Sequence, residues 1–213
     1  MIVIDDFVKD EALKAEIKDT SSPFWDEGYN WWHGWWNENK QPPTTRHKLI
    51  QYIYATHCPP QVSGVSASGF EHWVGIFNKD KIITNGLPEN EGYALNHHFD
   101  KDEGLWTRTG DVVCPKLGTI YYPDMGEEMC EGGYLKIYHT NQFIVSKDEP
   151  LRAVDSDGKD VPYELIAPVP NRLVIFNAGN LHAVTEVTSG VRYAVAINLW
   201  DDKPETDFSK ERY

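Results

Sequence analysis

Cysteine is scarce in this chain of 213 residues, and no two of its 3 cysteines have the CxxC spacing of a metal or redox motif. Cys58, Cys114 and Cys130 stand far apart, and an odd, unpatterned set of this kind indicates reduced thiols in a reducing compartment. The chain also lacks an apolar run of the roughly 18–20 residues that cross a membrane. Charges interrupt the first residues too early for a signal peptide. These absences predict a soluble, cytoplasmic protein without a membrane partner.

Basic residues are few as well. Lys and Arg together number 20 against 33 Asp and Glu, which gives a formal net charge of -13, and no dense run of Lys and Arg occurs anywhere. Because proteins bind nucleic acid largely by neutralising phosphates with a basic surface, this composition argues against nucleic acid as a major partner. The acidic excess mainly predicts solubility.

Aromatic side chains, in contrast, are abundant, with Trp 8 and Tyr 11 among them. The length of the chain suits one domain with a sizeable core. We expect a single domain over 1–213, in which 1–70 forms a helical and Trp-rich support and 71–200 forms the core. Residues 201–213 are expected to be a charged tail that is frayed or forms an edge helix.

The N-terminal support divides into short predicted elements. They are a strand at Ile2–Val8, a helix at Lys9–Lys18, and a helix from Thr44 or Thr45 to about His57 with Leu49, Ile50, Ile53 and Tyr54 as its buried stripe. The Gly, Asn and Pro content of Pro23–Asn39 predicts a packed irregular loop between the helices. The Trp residues at 25–36 either pack onto the core, which we favour, or stack on a substrate.

From Glu71 onward, short apolar runs alternate with turn signals such as Asn85-Gly86 and Ser189-Gly190. Many short strands at this spacing indicate an antiparallel sandwich or barrel. The strand candidates are His72–Phe77, Tyr93–Phe99, Thr119–Tyr122, Gly133–Tyr138, Leu173–Asn177, His182–Val187 and Val191–Trp200.

The sequence His98-Phe99-Asp100, followed 84 residues later by His182, carries the strongest chemical signal. Residues i and i+2 of a strand point to the same face, so one strand end can present the His98 imidazole and the Asp100 carboxylate to the same ion. Two imidazoles and one carboxylate cover one face of an octahedron around ferrous iron and leave the other positions open. Each element of this motif has a simpler interpretation. An HxD sequence most often lies on the surface without a function, and a lone histidine is most often a buried residue whose hydrogen bonds are made within the protein.

Arg192 extends this pattern, because it follows the turn at Ser189-Gly190 and begins the next strand candidate. Its planar fork of donors suits a carboxylate that is held by two hydrogen bonds. The plainer alternative is a salt bridge at a strand edge. The ordered set of HxD, distal histidine and arginine is much rarer than any of its parts.

Four stretches carry a resemblance to a known family. They are LNHHFD at Leu95–Asp100, TIYYPD at Thr119–Asp124, EGGYLKIY at Glu131–Tyr138 and RLVIFNAGNLHAVTEVTSGVRYAVAINLW at Arg172–Trp200. The chain from about Tyr93 to Trp200 resembles the iron- and 2-oxoglutarate-dependent oxygenases, specifically their prolyl 4-hydroxylase-like branch. The resemblance covers about half of the chain, and its motifs are specific in combination.

This resemblance implies a double-stranded β-helix, or jelly-roll (cupin-like) barrel, which is mainly β with flanking helices (α+β) and is supported by the N-terminal helices. The implied site residues are His98, Asp100 and His182 for Fe(II), and Arg192 and Tyr122 for the distal carboxylate of 2-oxoglutarate. Alternate strand residues face opposite sides, so a register error would exchange His98 for His97 and Tyr122 for Tyr121.

The implied activity is hydroxylation of an organic substrate with decarboxylation of 2-oxoglutarate to succinate. Fe(II) and O2 are required, and ascorbate is the expected reductant. A prolyl residue of a peptide or protein is the leading substrate, with small molecules and free amino acids as alternatives. The segment Lys101–Leu117 is expected to form a lid over the site. Two other hypotheses are a non-catalytic jelly roll that binds metal or ligand, and a cupin-like metal enzyme that does not use 2-oxoglutarate, against which Arg192 argues.

Overall fold

The chain is described by a computed structural model over residues 1–26, 28–38, 41–57, 67–81, 92–126, 130–139, 144–145 and 153–207. Its helices are α1 (Glu11–Lys18), α2 (Trp35–Glu38), α3 (Thr45–Thr56) and α4 (Glu103–Thr109). Its strands are β1 (Ile2–Ile4), β2 (Asn30–Trp32), β3 (Gly69–Phe77), β4 (Tyr93–His98), β5 (Leu117–Tyr122), β6 (Glu131–Gly132), β7 (Leu135–Tyr138), β8 (Ile144–Val145), β9 (Ala153–Val154), β10 (Tyr163–Ile166), β11 (Arg172–Phe176), β12 (His182–Thr185), β13 (Val187–Ser189) and β14 (Arg192–Trp200).

Two antiparallel sheets form the body of the molecule. The large sheet has six strands in the order β1-β11-β5-β14-β3-β2, and the small sheet has four in the order β10-β7-β12-β4. Their facing sides pack together, because Tyr122 and Val174 of the large sheet share an apolar cluster with Leu135 and Ile137 of the small sheet. The predicted fold class, mainly β with flanking helices, is confirmed.

The strand β14 lies in the interior of the large sheet and presents residues to both of its faces. It pairs with β3 over its whole length and with β5 on its other side. Because strand side chains alternate between faces, Ala194 packs between the two sheets, while Val195 and Ile197 join the core beneath the helices. Arg192 has the parity of Ala194 and therefore faces the space between the sheets.

The two longer N-terminal helices form as predicted and cover the outer face of the large sheet. α1 begins after Asp10, whose carboxylate accepts hydrogen bonds from the backbone N–H groups of Ala12 at 2.9 Å and Leu13 at 3.1 Å. α3 is capped by Thr44, whose hydroxyl accepts the backbone N–H of His47, which selects one of the two predicted caps. The buried stripe of α3 contains Leu49, Ile50, Ile53 and Tyr54, as predicted.

The prediction of an irregular loop over Pro23–Asn39 is wrong, because this segment contains β2 and α2. β2 extends the edge of the large sheet by pairing with β3. Its aromatic residues favour a strand, but a strand of three residues is too short to show a periodic pattern in the sequence. Trp25 and Trp32 are buried in the core at 6% and 4% exposure. Packing, and not stacking on a substrate, therefore accounts for these two side chains.

The end of the chain packs against the body of the molecule as far as it is described. Residues 201–207 run along α4 and are neither frayed nor helical, whereas 208–213 and Cys58 lie outside the described residues. Within the described part, Cys114 and Cys130 form no disulfide. No described helix combines the length and the apolar character that a membrane span requires.

Candidate metal and co-substrate site

Two histidines from different parts of the chain meet in the small sheet. His98 ends β4, His182 begins β12, and the two are register partners in the antiparallel pair, with ring centroids 4.2 Å apart. Asp100 follows β4, and its Oδ1 lies 3.8 Å from Nε2 of His98 and 3.7 Å from Nε2 of His182. One ligand atom from each residue lies within 4.8 Å of the other two. The structure thus brings the three sequence-predicted residues into one cluster.

The orientation of both imidazoles is fixed from behind by the main chain. Nδ1 of His98 contacts the carbonyl oxygen of Asn96, and Nδ1 of His182 contacts that of Asn180, each at 2.9 Å. A carbonyl oxygen only accepts hydrogen bonds, so Nδ1 of each ring carries a proton and Nε2 of each ring is the atom that faces Asp100. This is the arrangement that metal-binding histidines use. Burial holds the pKa of His98 well below its usual range, which keeps the ring neutral.

The cluster fits a divalent iron in donor chemistry and in spacing. Ligand atoms that share an ion through bonds of about 2.1 Å lie about 3.0 Å apart when they are adjacent and about 4.2 Å apart when they are opposite. The distances from Asp100 to the histidines, 3.8 Å and 3.7 Å, fall between these values, so a small closure of the cluster would bring the three atoms into the adjacent arrangement. Two imidazole nitrogens and one carboxylate oxygen form the facial set that suits ferrous iron with open positions.

His97 faces away from this cluster, as strand alternation predicts. Its Nε2 lies 2.8 Å from the hydroxyl of Tyr138, and its ring packs against Tyr93 on the outer face of the small sheet. Burial, followed by the nearby charge of Lys136, lowers the pKa of His97 to about 4. The neighbour of His98 is therefore a neutral, buried residue of the opposite face.

This low pKa of His97 predicts an acid-sensitive fold. The folded chain keeps the ring neutral while the unfolded chain protonates it below a pKa of about 6.5, so stability is full above that pH and is lost as pH falls toward 4. The shift corresponds to roughly 3 kcal/mol of unfolding free energy. Urea titrations of metal-free protein should show a smaller loss for His97→Gln than for the unsubstituted chain. An identical pH dependence of the two would contradict this, and His139→Gln, at an exposed site, is the control.

Arg192 lies at the other end of the space between the sheets. Its Nε donates to the carbonyl oxygen of Gly133 at 2.9 Å and its Nη2 donates to the hydroxyl of Tyr122 at 3.2 Å. Gly133 must be a glycine here, since its φ is +65° and a Cβ would lie 2.9 Å from Cδ of Arg192. Arg192 is only 3% exposed, and within the described ranges no carboxylate lies within 4.0 Å of its guanidinium. A buried cation without an acidic partner calls for an anionic ligand.

Tyr122 shares this environment, whereas Tyr121 does not. The guanidinium of Arg192 lies 5.0 Å from the ring centre of Tyr122, and burial raises the pKa of the Tyr122 hydroxyl. Tyr121 points to the helical side, where its hydroxyl donates to Oδ1 of Asn171 at 2.9 Å. The two tyrosines therefore face opposite sides, as strand alternation predicts, and Tyr122, the one that the resemblance implies, is the one that contacts Arg192.

A cavity of about 210 Å³ opens beside Arg192 and Tyr122. Its other walls are Pro123, Met125, Cys130, Pro168, Pro170, Gly190, Val191 and Tyr193. The cavity is lined by Arg192 and by neither histidine of the cluster. In the small sheet, Ile137 of β7 is the register partner of His182, whereas Gly133, four residues earlier in the chain, contacts Arg192. The cluster of three ligand atoms and the buried cation thus mark two ends of one inter-sheet space.

Several groups at the site were not predicted from the sequence. The orienting carbonyls of Asn96, Asn180 and Gly133 belong to the main chain and leave no signature in side-chain identity. Phe176, whose ring centre lies 5.3 Å from that of His182, appears in the sequence only as part of an apolar strand. The capping residue of α4, Asp102, could have been found from its position before Glu103, a typical helix start.

A jelly-roll body with a His–Asp–His cluster and a buried arginine that has no acidic partner among the described residues is typical of metal-dependent enzymes that act with an acidic co-substrate. The profile of the 2OG-Fe(II) oxygenase superfamily matches residues 85–200, more than half of the chain. The chain therefore belongs to that superfamily and is a 2-oxoglutarate-dependent dioxygenase. The family works with Fe(II), 2-oxoglutarate and O2.

Solved structures show the same fold. A prolyl-4-hydroxylase from Pseudomonas putida aligns with a TM-score of 0.52 at 13% identity, covering 95% of this chain and 92% of that one. A prolyl hydroxylase from Trichoplax adhaerens, in complex with a hypoxia inducible factor oxygen degradation domain peptide fragment, aligns with a TM-score of 0.50 at 15% identity, covering 94% and 83%. At these identities the likeness concerns the fold, and it confirms the jelly-roll prediction. A search of curated proteins finds no match.

Proposed function

We propose that this chain hydroxylates a prolyl residue of a peptide or protein, with Fe(II) held by His98, Asp100 and His182 and with 2-oxoglutarate held by Arg192 and Tyr122. The observation that carries the proposal is the pairing of two imidazoles that both aim Nε2 at one carboxylate with a buried arginine that has no described acidic partner. The first arrangement supports a metal, and the second supports a dicarboxylate co-substrate.

The residues around the metal position hold and shield it. His98, Asp100 and His182 would hold the iron, and with only three protein ligands it would stay accessible to the co-substrate and to dioxygen. Bound iron with these partners supplies the oxidising chemistry, in which 2-oxoglutarate becomes succinate and CO2 and one oxygen atom enters a C–H bond of the substrate. The apolar residues Ile137, Val174 and Phe176 exclude water from the space between the sheets.

The residues at the far end bind the second carboxylate of the co-substrate. Tyr122 accepts a hydrogen bond from Arg192 at 3.2 Å, so the proton of its own hydroxyl is available to donate to an anion. Nη1 of Arg192 keeps its donors as well, since the described hydrogen bonds use Nε and Nη2. Charge-assisted bonds of this kind are strong in a buried site.

The surface beside Asp100 supports a peptide substrate. α4 begins three residues after Asp100 and contains no buried residue. Trp106, Val112 and Val113, on and just after this helix, are exposed at 44%, 54% and 47%. These exposed apolar side chains follow Asp100 closely in the chain, and a peptide would cover more of them than a free amino acid would. The peptide bound to the Trichoplax adhaerens relative supports the same choice. Closure of Lys101–Leu117 as a lid stays a prediction.

The proposal is tested by turnover of defined peptides. The purified protein is incubated with Fe(II), 2-oxoglutarate and ascorbate, the reductant that we propose for it, in the presence of proline-containing peptides. We expect succinate release that requires both iron and 2-oxoglutarate, and a peptide that gains one oxygen atom at proline. Iron binding without binding or consumption of 2-oxoglutarate would instead support the non-catalytic jelly roll.

Trp106 provides a separate test of the substrate surface. If its exposed ring packs against the bound peptide, Trp106→Ala should remove roughly 1–2 kcal/mol of contact energy and raise KM for the peptide about tenfold. Succinate release in the absence of peptide should not change. Tyr163→Ala removes an aromatic ring of 49% exposure from another surface and serves as the control. Equal effects of the two substitutions would contradict a role for α4 in substrate binding.

A further inference from the structure

The three members of the proposed metal cluster are not held in the same way. His98 and His182 are each oriented by a hydrogen bond from Nδ1 to a main-chain carbonyl at 2.9 Å. The Asp100 carboxylate, in contrast, receives no hydrogen bond from any residue within the described ranges, although its side chain is only 11% exposed. Its position therefore depends on the backbone that follows β4.

That backbone is fixed by the buried residue two positions further along. Asp102 is 5% exposed, and its Oδ1 accepts the N–H of Leu105 at 3.0 Å, which caps α4. Its Oδ2 accepts the N–H of Glu205 at 2.8 Å, and its own N–H donates to the carbonyl of Val113 at 2.9 Å. One carboxylate and one amide thus join three segments: the start of α4, the approach to β5, and the chain that follows β14.

The segment 201–207 lies tightly across α4 at the same place. A Cβ added to Gly104 would overlap the carbonyl group of Glu205. The Arg108 guanidinium contacts the carboxylate of Glu205 through Nε at 2.8 Å, but both side chains are exposed, so this pair adds little stability. Since α4 buries no residue, its attachment rests on the buried bonds of Asp102.

We infer that Asp102 is the positioning residue for the metal-binding carboxylate. By locking the backbone two residues after Asp100 to both α4 and Glu205, it sets where that carboxylate stands relative to His98 and His182. The inference rests on the proposed ligand role of Asp100. Groups that orient a metal ligand typically change metal affinity 10–100-fold when they are substituted, and about tenfold is expected here because the link is through the backbone.

The test is the affinity and visible spectrum of Co(II) bound to the full chain. Asp102→Asn keeps the size of the side chain and can still cap α4. Its amide NH2 group, however, must face a backbone N–H group, that of Leu105 or that of Glu205, so one of the two hydrogen bonds is lost. Co(II) is expected to bind about tenfold more weakly, with an altered absorption band that reports a changed ligand arrangement. Asp10→Asn, which makes the same change at the cap of α1, is the matched control and should leave both readouts unchanged.

Gly104→Ala perturbs the same junction without touching Asp102. The added methyl group must displace Glu205, so the weakening of Co(II) binding should recur in this variant. Unchanged Co(II) affinity and spectrum in both variants would overturn the inference. The variant Asp100→Ala distinguishes a failure of the Asp102 inference from a failure of the proposed function. If Asp100→Ala also binds Co(II) normally, the assignment of Asp100 as a metal ligand is wrong. A large loss in Asp100→Ala alone leaves the ligand role intact and rejects only the role of Asp102.

Discussion

Substitution of His182 by alanine is expected to abolish iron-dependent turnover. The remaining cluster would offer one imidazole and one carboxylate, and the imidazole that is lost lies at 4% exposure, where little water is available to replace it. Because substitution of even a supporting residue costs 10–100-fold in metal affinity, loss of this ligand should weaken Co(II) or Fe(II) binding by more than about 100-fold. Succinate release and a Co(II) titration measure the two effects.

The control for this experiment is the same substitution at a histidine that lies outside the cluster. His139 is partly exposed and pairs with Glu164 at 2.6 Å at the edge of the small sheet. His139→Ala should retain both turnover and metal affinity. Retention of tight metal binding by His182→Ala would show that the cluster of His98, Asp100 and His182 does not hold the ion.

Substitution of Arg192 by alanine is expected to act on the co-substrate and to spare the metal. Removal of one partner of a buried charge pair costs about 2–5 kcal/mol, which corresponds to a rise in KM for 2-oxoglutarate of about 30-fold to several thousandfold. Co(II) affinity should stay normal, because Arg192 contacts Gly133 and Tyr122 and no member of the metal cluster. Kinetics at varied 2-oxoglutarate concentration measure this KM, and a Co(II) titration measures the metal affinity.

Two milder variants sharpen this result. Arg192→Lys keeps the charge but loses the planar fork of donors, so its KM should fall between those of the unsubstituted chain and Arg192→Ala. Tyr122→Phe removes one hydroxyl donor and should raise KM less than Arg192→Ala does. A normal KM in Arg192→Ala would reject the co-substrate assignment, whereas a parallel loss of Co(II) binding would indicate general damage to the fold.

Strand alternation accounts for one part of what could be predicted about this site from the sequence. Strand alternation showed only that His98 and His97, like Tyr122 and Tyr121, must face opposite sides. The i, i+2 spacing to Asp100 and the family resemblance selected His98, and the resemblance alone selected Tyr122. The meeting of His98 with His182 across 84 residues of chain did not follow from parity. It followed from the ordered motif and its resemblance to a family, because long-range pairing leaves no local pattern.

Short and tertiary features were the ones that the sequence could not predict. The three residues of β2 form a strand only because β3 offers a free edge, and nothing in Asn30–Trp32 shows a period of two. Similarly, Asp102 reads as an ordinary helix cap before Glu103, but its bond to Glu205 joins residues 103 positions apart. Contacts of this kind depend on where the chain returns, which is a property of the whole fold.

The pairing of β4 with β12 has a further consequence for the lifetime of bound metal. Among the described strands, β4 lies at the edge of the small sheet, so His98 is held to His182 by a ladder that has no described strand on its other side. An ion bound to both histidines would act as a clamp across this edge, closing a loop of 84 residues. Opening of this edge would separate the two histidines and release the ion, so bound metal should slow the hydrogen exchange of the β4 amides.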